Sequence, residues 1–359
     1  MPKLPHNAKM RSVSARRPYL RRGVLALILS LPPPVLRLLS GSGVTYLGGR
    51  TLDPRLQFLA AQGRATPPMS TMTPEEARRA EAGFVADLAG PPELGVSCRP
   101  LDIPAPHGAI PARLYTPDTQ DGRTPVMVFA HMGGGVIGGL PTVEAFCGRL
   151  ARVGAGPVIS VDYRLAPEHR FPAGYEDVLT TYRWARENAE QFGAPSGQAA
   201  IGGDSMGGGF AASICQELKR LGEPQPVLQL LIYPCVDVAS EAPSMTTYAE
   251  AFPLSRATMD WFASHYMGPD ADPADPRLSP SRSEDLSGLA PAVVAVAGFD
   301  PLLDQGQAYA RRLAEAGVPV SFRAYDSLSH AFLAFSGLVP VADMAVSEIA
   351  ELVAARMRA

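Results

Sequence analysis

Short apolar runs alternate with longer amphipathic segments from about residue 96 onwards. The runs are rich in Val and Ile, which is typical of strands that are covered on both faces of a parallel sheet. This alternation predicts an α/β fold with a mostly parallel sheet flanked by helices. The predicted strands are 126–130, 158–162, 199–202, 227–233, 292–297 and 320–325, preceded by a hairpin of 96–103 and 110–115.

The segments between these strands have the apolar period of helices. Two of them end at clear stop signals, because Gly222 and Pro224 follow one, and Gly317 and Pro319 follow another. The predicted helices are 143–153, 175–192, 207–221, 302–316 and 342–357.

Two stretches interrupt the alternation. Residues 1–90 have a helical pattern, and residues 236–286 are rich in Pro, Asp and Ser around an aromatic helix with Trp261, Phe262 and Tyr266. The second stretch follows a strand directly, so it is inserted at the edge of the sheet where open α/β folds bind ligands. We therefore expect both stretches to form a cap over the site. The predicted division is 1–90 (N-terminal segment and part of the cap), 91–235 (core), 236–286 (cap insertion) and 287–359 (core).

Composition excludes some classes of function. Apolar residues make up 46% and charged residues 19% of the chain, which is ordinary for a globular protein. A net charge of -3 gives no general attraction for nucleic acid, so no nucleic-acid partner is expected. The four cysteines lack metal-binding or redox spacing, and two of them, Cys147 and Cys215, fall on predicted buried helix faces. Free thiols in a reducing compartment are therefore expected.

The N-terminus combines positive charge with an apolar run. Seven Lys and Arg residues precede the run 24–31, in the order of a signal peptide. Three prolines at 32–34 interrupt the apolar sequence, and no small-x-small cleavage site follows. We interpret the run as an amphipathic helical segment that is too short to span a bilayer, with residues 1 to about 20 disordered. A cytoplasmic location is expected, with export as the alternative.

The sequence Gly203-Asp204-Ser205-Met206-Gly207 fits the G-x-S-x-G motif, and it lies between a predicted strand and a predicted helix. In this context the motif forms a tight turn that exposes a nucleophilic serine, which makes Ser205 the candidate nucleophile. The alternative is a glycine-rich helix start with a capping serine.

A second glycine-rich sequence, His131-Met132-Gly133-Gly134-Gly135, follows the strand 126–130. Glycines allow backbone N–H groups to approach a developing oxyanion without hindrance, as acyl transfer requires. The alternatives are a flexible loop or a phosphate-binding loop. The second fails because neither phosphate-binding fingerprint is present.

Asp300 and His330 each follow a predicted strand closely, and with Ser205 they give the chain order Ser, Asp, His. His330 is the candidate general base and Asp300 the acid that orients it. Asp304 is a rival acid, but it falls about one turn into a predicted helix. The other histidines lie in the tail, the hairpin, turns or the cap, where structural roles are expected. No metal-ligand spacing is present.

Several motifs together resemble the hormone-sensitive-lipase family of bacterial esterases. They are residues 161–169 (VDYRLAPEH), Phe171-Pro172-Ala173, the HxGGG loop, Gly-Asp-Ser-x-Gly-Gly, Asp300-Pro301-Leu302 and His330-Ala331-Phe332. The resemblance covers residues from about 95 to the end. It implies an α/β-hydrolase core under a cap, and hydrolysis of short to medium acyl esters through an acyl-enzyme with no cofactor. It also implies that Gly133, Gly134 and Met206 supply the backbone N–H groups of an oxyanion hole.

Some positions depart from the family pattern. Met132 replaces a glycine, Met206 replaces an alanine, and Gly135 stands where the family has an aromatic residue. We expect a methionine side chain to fill the volume of the missing ring. Within residues 161–169, we expect Arg164 and Glu168 to form an ion pair.

Other functions remain open at this point. One alternative is a hydrolase that uses the same residues on lactones, amides or polyesters. A second alternative is a non-catalytic ligand receptor on this fold. The expected partner is a small-molecule ester. The oligomeric state, including a homodimer, is left open.

Overall fold

The computed structural model describes residues 22–358. Its centre is an eight-stranded sheet, which confirms the α/β fold class. After a small hairpin of β1 (Tyr46–Leu47) and β2 (Arg50–Thr51), the sheet strands are β3 (Val96–Ala105), β4 (Gly108–Pro117), β5 (Val126–Ala130), β6 (Val158–Val161), β7 (Ala199–Asp204), β8 (Gln229–Ile232), β9 (Ala292–Phe299) and β10 (Val320–Ser329).

The strand order is β10-β9-β8-β7-β5-β6-β4-β3. Neighbouring strands are parallel from β10 to β6, whereas β4 is antiparallel to both β6 and β3. Strands β5, β6, β7, β8 and β9 are buried along their whole length, as expected for strands covered on both faces. The loops that follow the parallel strands therefore meet at one edge of the sheet.

Five helices accompany the sheet: α5 (Glu144–Gly154), α6 (Ala173–Glu187), α7 (Met206–Leu221), α10 (Leu303–Glu315) and α11 (Pro340–Met357). Helix α5 packs against α11, and α6 packs against α7. The predicted helix 175–192 is wrong in one respect, because α6 ends at Glu187 and a separate 3-10 turn spans Ala189–Phe192. The predicted buried cysteines Cys147 and Cys215 lie in α5 and α7, and both are buried.

The N-terminal segment contains α1 (Arg22–Leu29), α2 (Pro33–Leu39), α3 (Pro54–Gly63) and α4 (Pro74–Leu88). The predicted apolar helical segment is thus two helices, since the prolines at 32–34 begin the second one. Their outward faces carry apolar side chains, so the prediction of amphipathic character is wrong. No helix within residues 22–358 is long and apolar enough to cross a membrane. The predicted disorder of residues 1 to about 20 concerns a part outside the described residues.

The segment between β8 and β9 forms α8 (Pro243–Thr247) and α9 (Arg256–Tyr266). Ser255 caps α9, because its side chain accepts a hydrogen bond from the N–H of Thr258. The indole of Trp261 in turn donates to the carbonyl of Met72, 3.1 Å away. This contact joins the inserted segment to the N-terminal segment.

Candidate active site

Ser205 occupies the turn between β7 and α7. Its backbone is strained, with φ 54° and ψ -116°. A Cβ atom at Gly203 would collide with Gly207, and one at Gly207 would collide with the carbonyl of Ala130. Only glycine therefore fits at these two positions of the G-x-S-x-G sequence, which holds Ser205 at the tip of a very tight turn.

The three side chains selected from the sequence form a hydrogen-bonded chain. Ser205 Oγ lies 3.0 Å from His330 Nε2, and His330 Nδ1 lies 2.7 Å from Asp300 Oδ2. The other carboxylate oxygen of Asp300 accepts a 2.8 Å hydrogen bond from the N–H of Leu302. Ser205 is 8%, His330 4% and Asp300 0% exposed. Three loops, after β7, β9 and β10, thus bring the side chains of a serine, an aspartate and a histidine into one buried line.

The rival acid has a different partner. Asp304 Oδ2 accepts a 2.8 Å hydrogen bond from the N–H of Ser244, at the start of α8. Asp300 therefore lies against His330, whereas Asp304 joins α10 to the inserted segment.

The glycine loop after β5 is next to the serine turn, because β5 and β7 are paired with Ala130 opposite Gly203. Gly133, Gly134 and Gly135 all have positive φ, which favours glycine. A Cβ atom at Gly133 would also collide with the carbonyl of Ile137. Two hydrogen bonds close the loop, because the carbonyl of Gly133 accepts from the N–H groups of Val136 and Ile137, each at 3.0 Å.

Two rings of α9 lie on this loop. A Cβ atom at Gly134 would meet the ring of Phe262, and one at Gly135 would meet the ring of Tyr266. Tyr266 is 1% exposed. The expectation that a methionine fills the volume of the missing ring is therefore wrong: Tyr266 of the inserted segment lies at that place.

His131 has a structural environment, in agreement with the sequence interpretation. Its ring stacks on Tyr163 at 4.2 Å between centroids, and the Tyr163 hydroxyl donates to the His131 carbonyl at 2.9 Å. Burial lowers the pKa of His131 to about 4, so the imidazole is neutral at pH 7. The stacked pair anchors the first residue of the glycine loop.

The sequence analysis missed two residues beside the site, Asp204 and Tyr233. The Tyr233 hydroxyl donates to Asp204 Oδ2 at 2.9 Å, and its ring lies 4.7 Å from the ring of His330. Among the four non-glycine residues with positive φ in residues 22–358, three are Ser205, Tyr233 and Ala331. Backbone strain is thus concentrated around the candidate site. The available signal was the position of Tyr233 directly after β8, at the ligand-binding edge.

Asp204 provides a test based on pH. Burial raises the pKa of Asp204 from 3.8 to about 7, because the ionised form loses its hydration. The folded protein therefore holds this proton more tightly than the unfolded chain. The resulting stability is fully present below about pH 4 and is lost as the pH rises through about 7.

Asp204→Asn cannot ionise, so its Tm relative to the parent is expected to increase from about pH 5 to about pH 8. Melting curves of both proteins across this range measure the difference. Asp118→Asn, on an exposed carboxylate, is the control and should show no such trend. A Tm difference for Asp204→Asn that is independent of pH would contradict the interpretation.

The predicted Arg164–Glu168 ion pair is wrong. Arg164 contacts Asp177 of α6, with Nη2 2.8 Å from Oδ1 and Nε 2.9 Å from Oδ2. Glu168 instead accepts from both Nη atoms of Arg78 in α4, at 2.8 and 2.7 Å. That guanidinium lowers the pKa of Glu168 to about 2.

Arg78 also reaches two loops of the core. Its Nε donates to the carbonyl of Val136 at 2.9 Å, and its Nη2 donates to the carbonyl of Ala166 at 2.7 Å. One arginine of the N-terminal segment thereby contacts the glycine loop and the loop after β6 together.

A family model described as the alpha/beta hydrolase fold matches residues 127–334, which is more than half of the chain. The chain belongs to the α/β-hydrolase family. Within this family, the carboxylic ester hydrolase LipN of Mycobacterium tuberculosis is 43% identical over 311 residues, covering 84% of this chain and 82% of LipN. The ethyl acetate hydrolase of Pseudomonas putida is 35% identical over 288 residues, covering 79% of this chain and 91% of that protein. These relatives confirm the resemblance to bacterial esterases.

Solved structures of α/β-hydrolases agree with this assignment. An ester hydrolase from the metagenome of Lake Arreo, in complex with a phosphonate derivative, superimposes with a TM-score of 0.79 at 39% identity, covering 84% of this chain and 96% of that one. A thermostable esterase from Pseudomonas putida has a TM-score of 0.79 at 29% identity, covering 85% and 97%. In the part of this hydrolase that the structure describes, no group of three or more His, Cys, Asp or Glu side chains could hold a metal ion.

Proposed function

We propose that this α/β-hydrolase is a serine carboxylesterase with Ser205 as nucleophile, His330 as general base and Asp300 as orienting acid. The observation that carries the proposal is the line of hydrogen-bond distances from Ser205 Oγ to His330 Nε2 (3.0 Å) and from His330 Nδ1 to Asp300 Oδ2 (2.7 Å). The names of the relatives, carboxylic ester hydrolase and ethyl acetate hydrolase, support the same reaction.

In the proposed reaction His330 Nε2 takes the hydroxyl proton of Ser205 while Oγ attacks the ester carbonyl carbon. The tetrahedral intermediate collapses, and His330 returns the proton to the departing alcohol. Water then attacks the acyl-enzyme with His330 again acting as base, which releases the acid and regenerates Ser205. Asp300 fixes the tautomer with Nδ1 protonated and stabilises the imidazolium.

The backbone N–H groups of Gly133, Gly134 and Met206 are proposed to hold the oxyanion. Support comes from their position: the two glycines lie on the loop beside the serine turn, and Met206 directly follows Ser205 as the first residue of α7. None of these roles requires a side chain. The substitution of the family alanine by Met206 is therefore compatible with the role.

We further propose that the cap consists of residues 1–90 and 236–286, over a core of 91–235 and 287–359. The contacts of Phe262 and Tyr266 with the glycine loop support this division. So does an aromatic cluster that joins both cap segments to the second core segment, in which Phe84 lies 6.2 Å from Phe252 and 5.3 Å from Phe335 between ring centroids.

A ring in contact with Gly134 limits the space beside Ser205, so acyl groups of about two to eight carbons are expected to react fastest. A series of p-nitrophenyl esters from acetate to palmitate measures this preference as kcat/KM. Highest activity on palmitate would contradict the proposed site, and no hydrolysis of any ester would contradict the proposed function.

The same series tests the part played by Phe262. Phe262→Ala removes the ring that lies against Gly134 and should shift the optimum towards longer acyl chains. Phe322→Ala, on a 36% exposed ring of β10, is the matched control and should leave the optimum unchanged.

A cytoplasmic location is proposed for the enzyme. It is supported by the four cysteines, which are all free thiols, as is usual for proteins of a reducing compartment. Fractionation of cells that express the full chain tests it, since recovery in the exported fraction would favour the alternative.

A further inference from the structure

Exposed apolar side chains are concentrated on one short part of the chain. Twelve large apolar side chains are exposed within residues 22–358, and eight of them lie between residues 24 and 47. We call this set the N-terminal apolar face. It consists of Val24, Leu27, Val35, Leu38, Leu39, Val44, Tyr46 and Leu47, on α1, α2, the loop after α2 and the strand β1.

Helices α1 and α2 are apolar on their outward as well as their inward sides. In α1, Leu29 is buried while Leu27 is 70% exposed. In α2, Leu36 is buried while Leu38 is 79% exposed. A surface helix in water normally has a polar outward face, and a clustered apolar surface marks a site of interaction. The N-terminal apolar face therefore requires a partner that offers an apolar environment.

The same part of the chain is strongly basic. Residues 1–52 contain nine of the 32 Lys and Arg residues and none of the 35 Asp and Glu residues. Within the face, Arg37 lies between Leu36 and Leu38 and is half-buried, and its Nε is buried without a hydrogen-bond partner among residues 22–358. An exposed apolar face in a segment of net positive charge is complementary to a surface of anionic headgroups above acyl chains.

The N-terminal apolar face is held firmly by the rest of the protein. Arg22 donates hydrogen bonds to the carbonyls of Asp87 and Ala89, at the end of α4, at 3.2 and 2.7 Å. Arg55 Nε donates to the carbonyl of Leu29 at 3.0 Å. The apolar side chains of α1 are thus presented on a fixed support, so little conformational entropy is lost when they bind.

We propose that the N-terminal apolar face docks onto the surface of an anionic lipid bilayer. Leu27 and Leu38 enter the boundary between headgroups and acyl chains, and the net positive charge of residues 1–52 attracts the anionic headgroups. No helix within residues 22–358 could cross the membrane, and two signals, apolar insertion and positive charge, act together to hold the protein on its surface. This inference does not depend on the proposed ester hydrolysis.

Co-sedimentation of the full chain with lipid vesicles tests the proposal. Vesicles of phosphatidylcholine with phosphatidylglycerol should bind the protein, whereas pure phosphatidylcholine should bind it much more weakly. Leu27→Ser with Leu38→Ser should reduce the vesicle partition coefficient at least tenfold. Removal of one basic residue, as in Arg16→Gln or Arg17→Gln, should reduce the partition coefficient about fivefold at low ionic strength. Added salt should also reduce the partition coefficient, because it screens the attraction between the protein and the lipid.

The matched control is Leu94→Ser with Met344→Ser, because these side chains are 88% and 69% exposed outside the face. This control should bind vesicles like the parent. The Tm and the hydrolysis of a short soluble ester report separately on folding and on the proposed function of every variant. A parent that fails to bind anionic vesicles at low salt, or a control that loses binding equally, would overturn the proposal.

The alternative is that a second copy of this chain covers the N-terminal apolar face. Sedimentation of the protein without vesicles tests this by measuring its oligomeric state. A parent dimer that the Leu27→Ser/Leu38→Ser pair converts to monomer, without binding of the parent to vesicles, would assign the face to self-association and refute membrane docking.

Discussion

The Ser205→Ala variant is expected to lose kcat for ester hydrolysis by at least about a thousandfold while keeping its fold, because it lacks the proposed nucleophile. The replaced side chain is small and contributes little packing in its turn. Steady-state hydrolysis of a short p-nitrophenyl ester measures the loss, and the Tm verifies folding.

Ser213→Ala is the matched control, since Ser213 of α7 is also a buried serine and its hydroxyl donates to the carbonyl of Phe210, at 3.2 Å. Its kcat should stay within a few-fold of the parent. A serine-directed phosphonate should label Ser205 in the parent and in the control, as mass spectrometry detects. Activity of Ser205→Ala within tenfold of the parent, or labelling of another serine, would refute the assignment.

Asp300→Asn is expected to lower kcat about ten-thousandfold, as the same change does in the serine-protease triad. An amide can present its N–H to His330 Nδ1 and so favour the tautomer in which Nε2 carries the proton. Nε2 then cannot accept the proton of Ser205. The geometry should be retained because the side-chain size is unchanged, and kcat and Tm are both measured.

Asp304→Asn separates the two candidate acids. Its carboxylate accepts from the N–H of Ser244 and lies away from His330, so a loss of at most about tenfold in kcat is expected, with some loss of stability from the weaker hydrogen bond. If Asp304→Asn were the more damaging change, the choice of Asp300 as the orienting acid would be incorrect.

Much of the fold and of the candidate site could be predicted from the sequence because both depend on local patterns. The buried strands are continuous apolar runs, and parallel strands place the residues that follow them at one edge. Ser205, Asp300 and His330 each follow a strand of the parallel part of the sheet, so their approach in space required no knowledge of side-chain packing. The glycines at 203 and 207 likewise indicate a tight turn, which is formed by residues that are close together in the sequence.

The contacts that the sequence analysis missed join residues that are distant along the chain. Arg164 and Glu168 are four residues apart, but no helix spans them, and their partners are Asp177 on α6 and Arg78 on α4. Tyr266 lies against Gly135 because α9 folds back over the glycine loop. Such contacts depend on how whole elements pack, and residue spacing does not contain that information.

The position of Arg78 has a consequence for recombining this enzyme with its homologues. Its guanidinium binds Val136, Ala166 and Glu168 at the same time, so a chimera that takes residues 1–90 from one parent and the rest from another must match this arginine to both loops. Crossovers that keep position 78 together with 136 and 166–168 from one parent should yield folded hybrids more often than a simple exchange of residues 1–90.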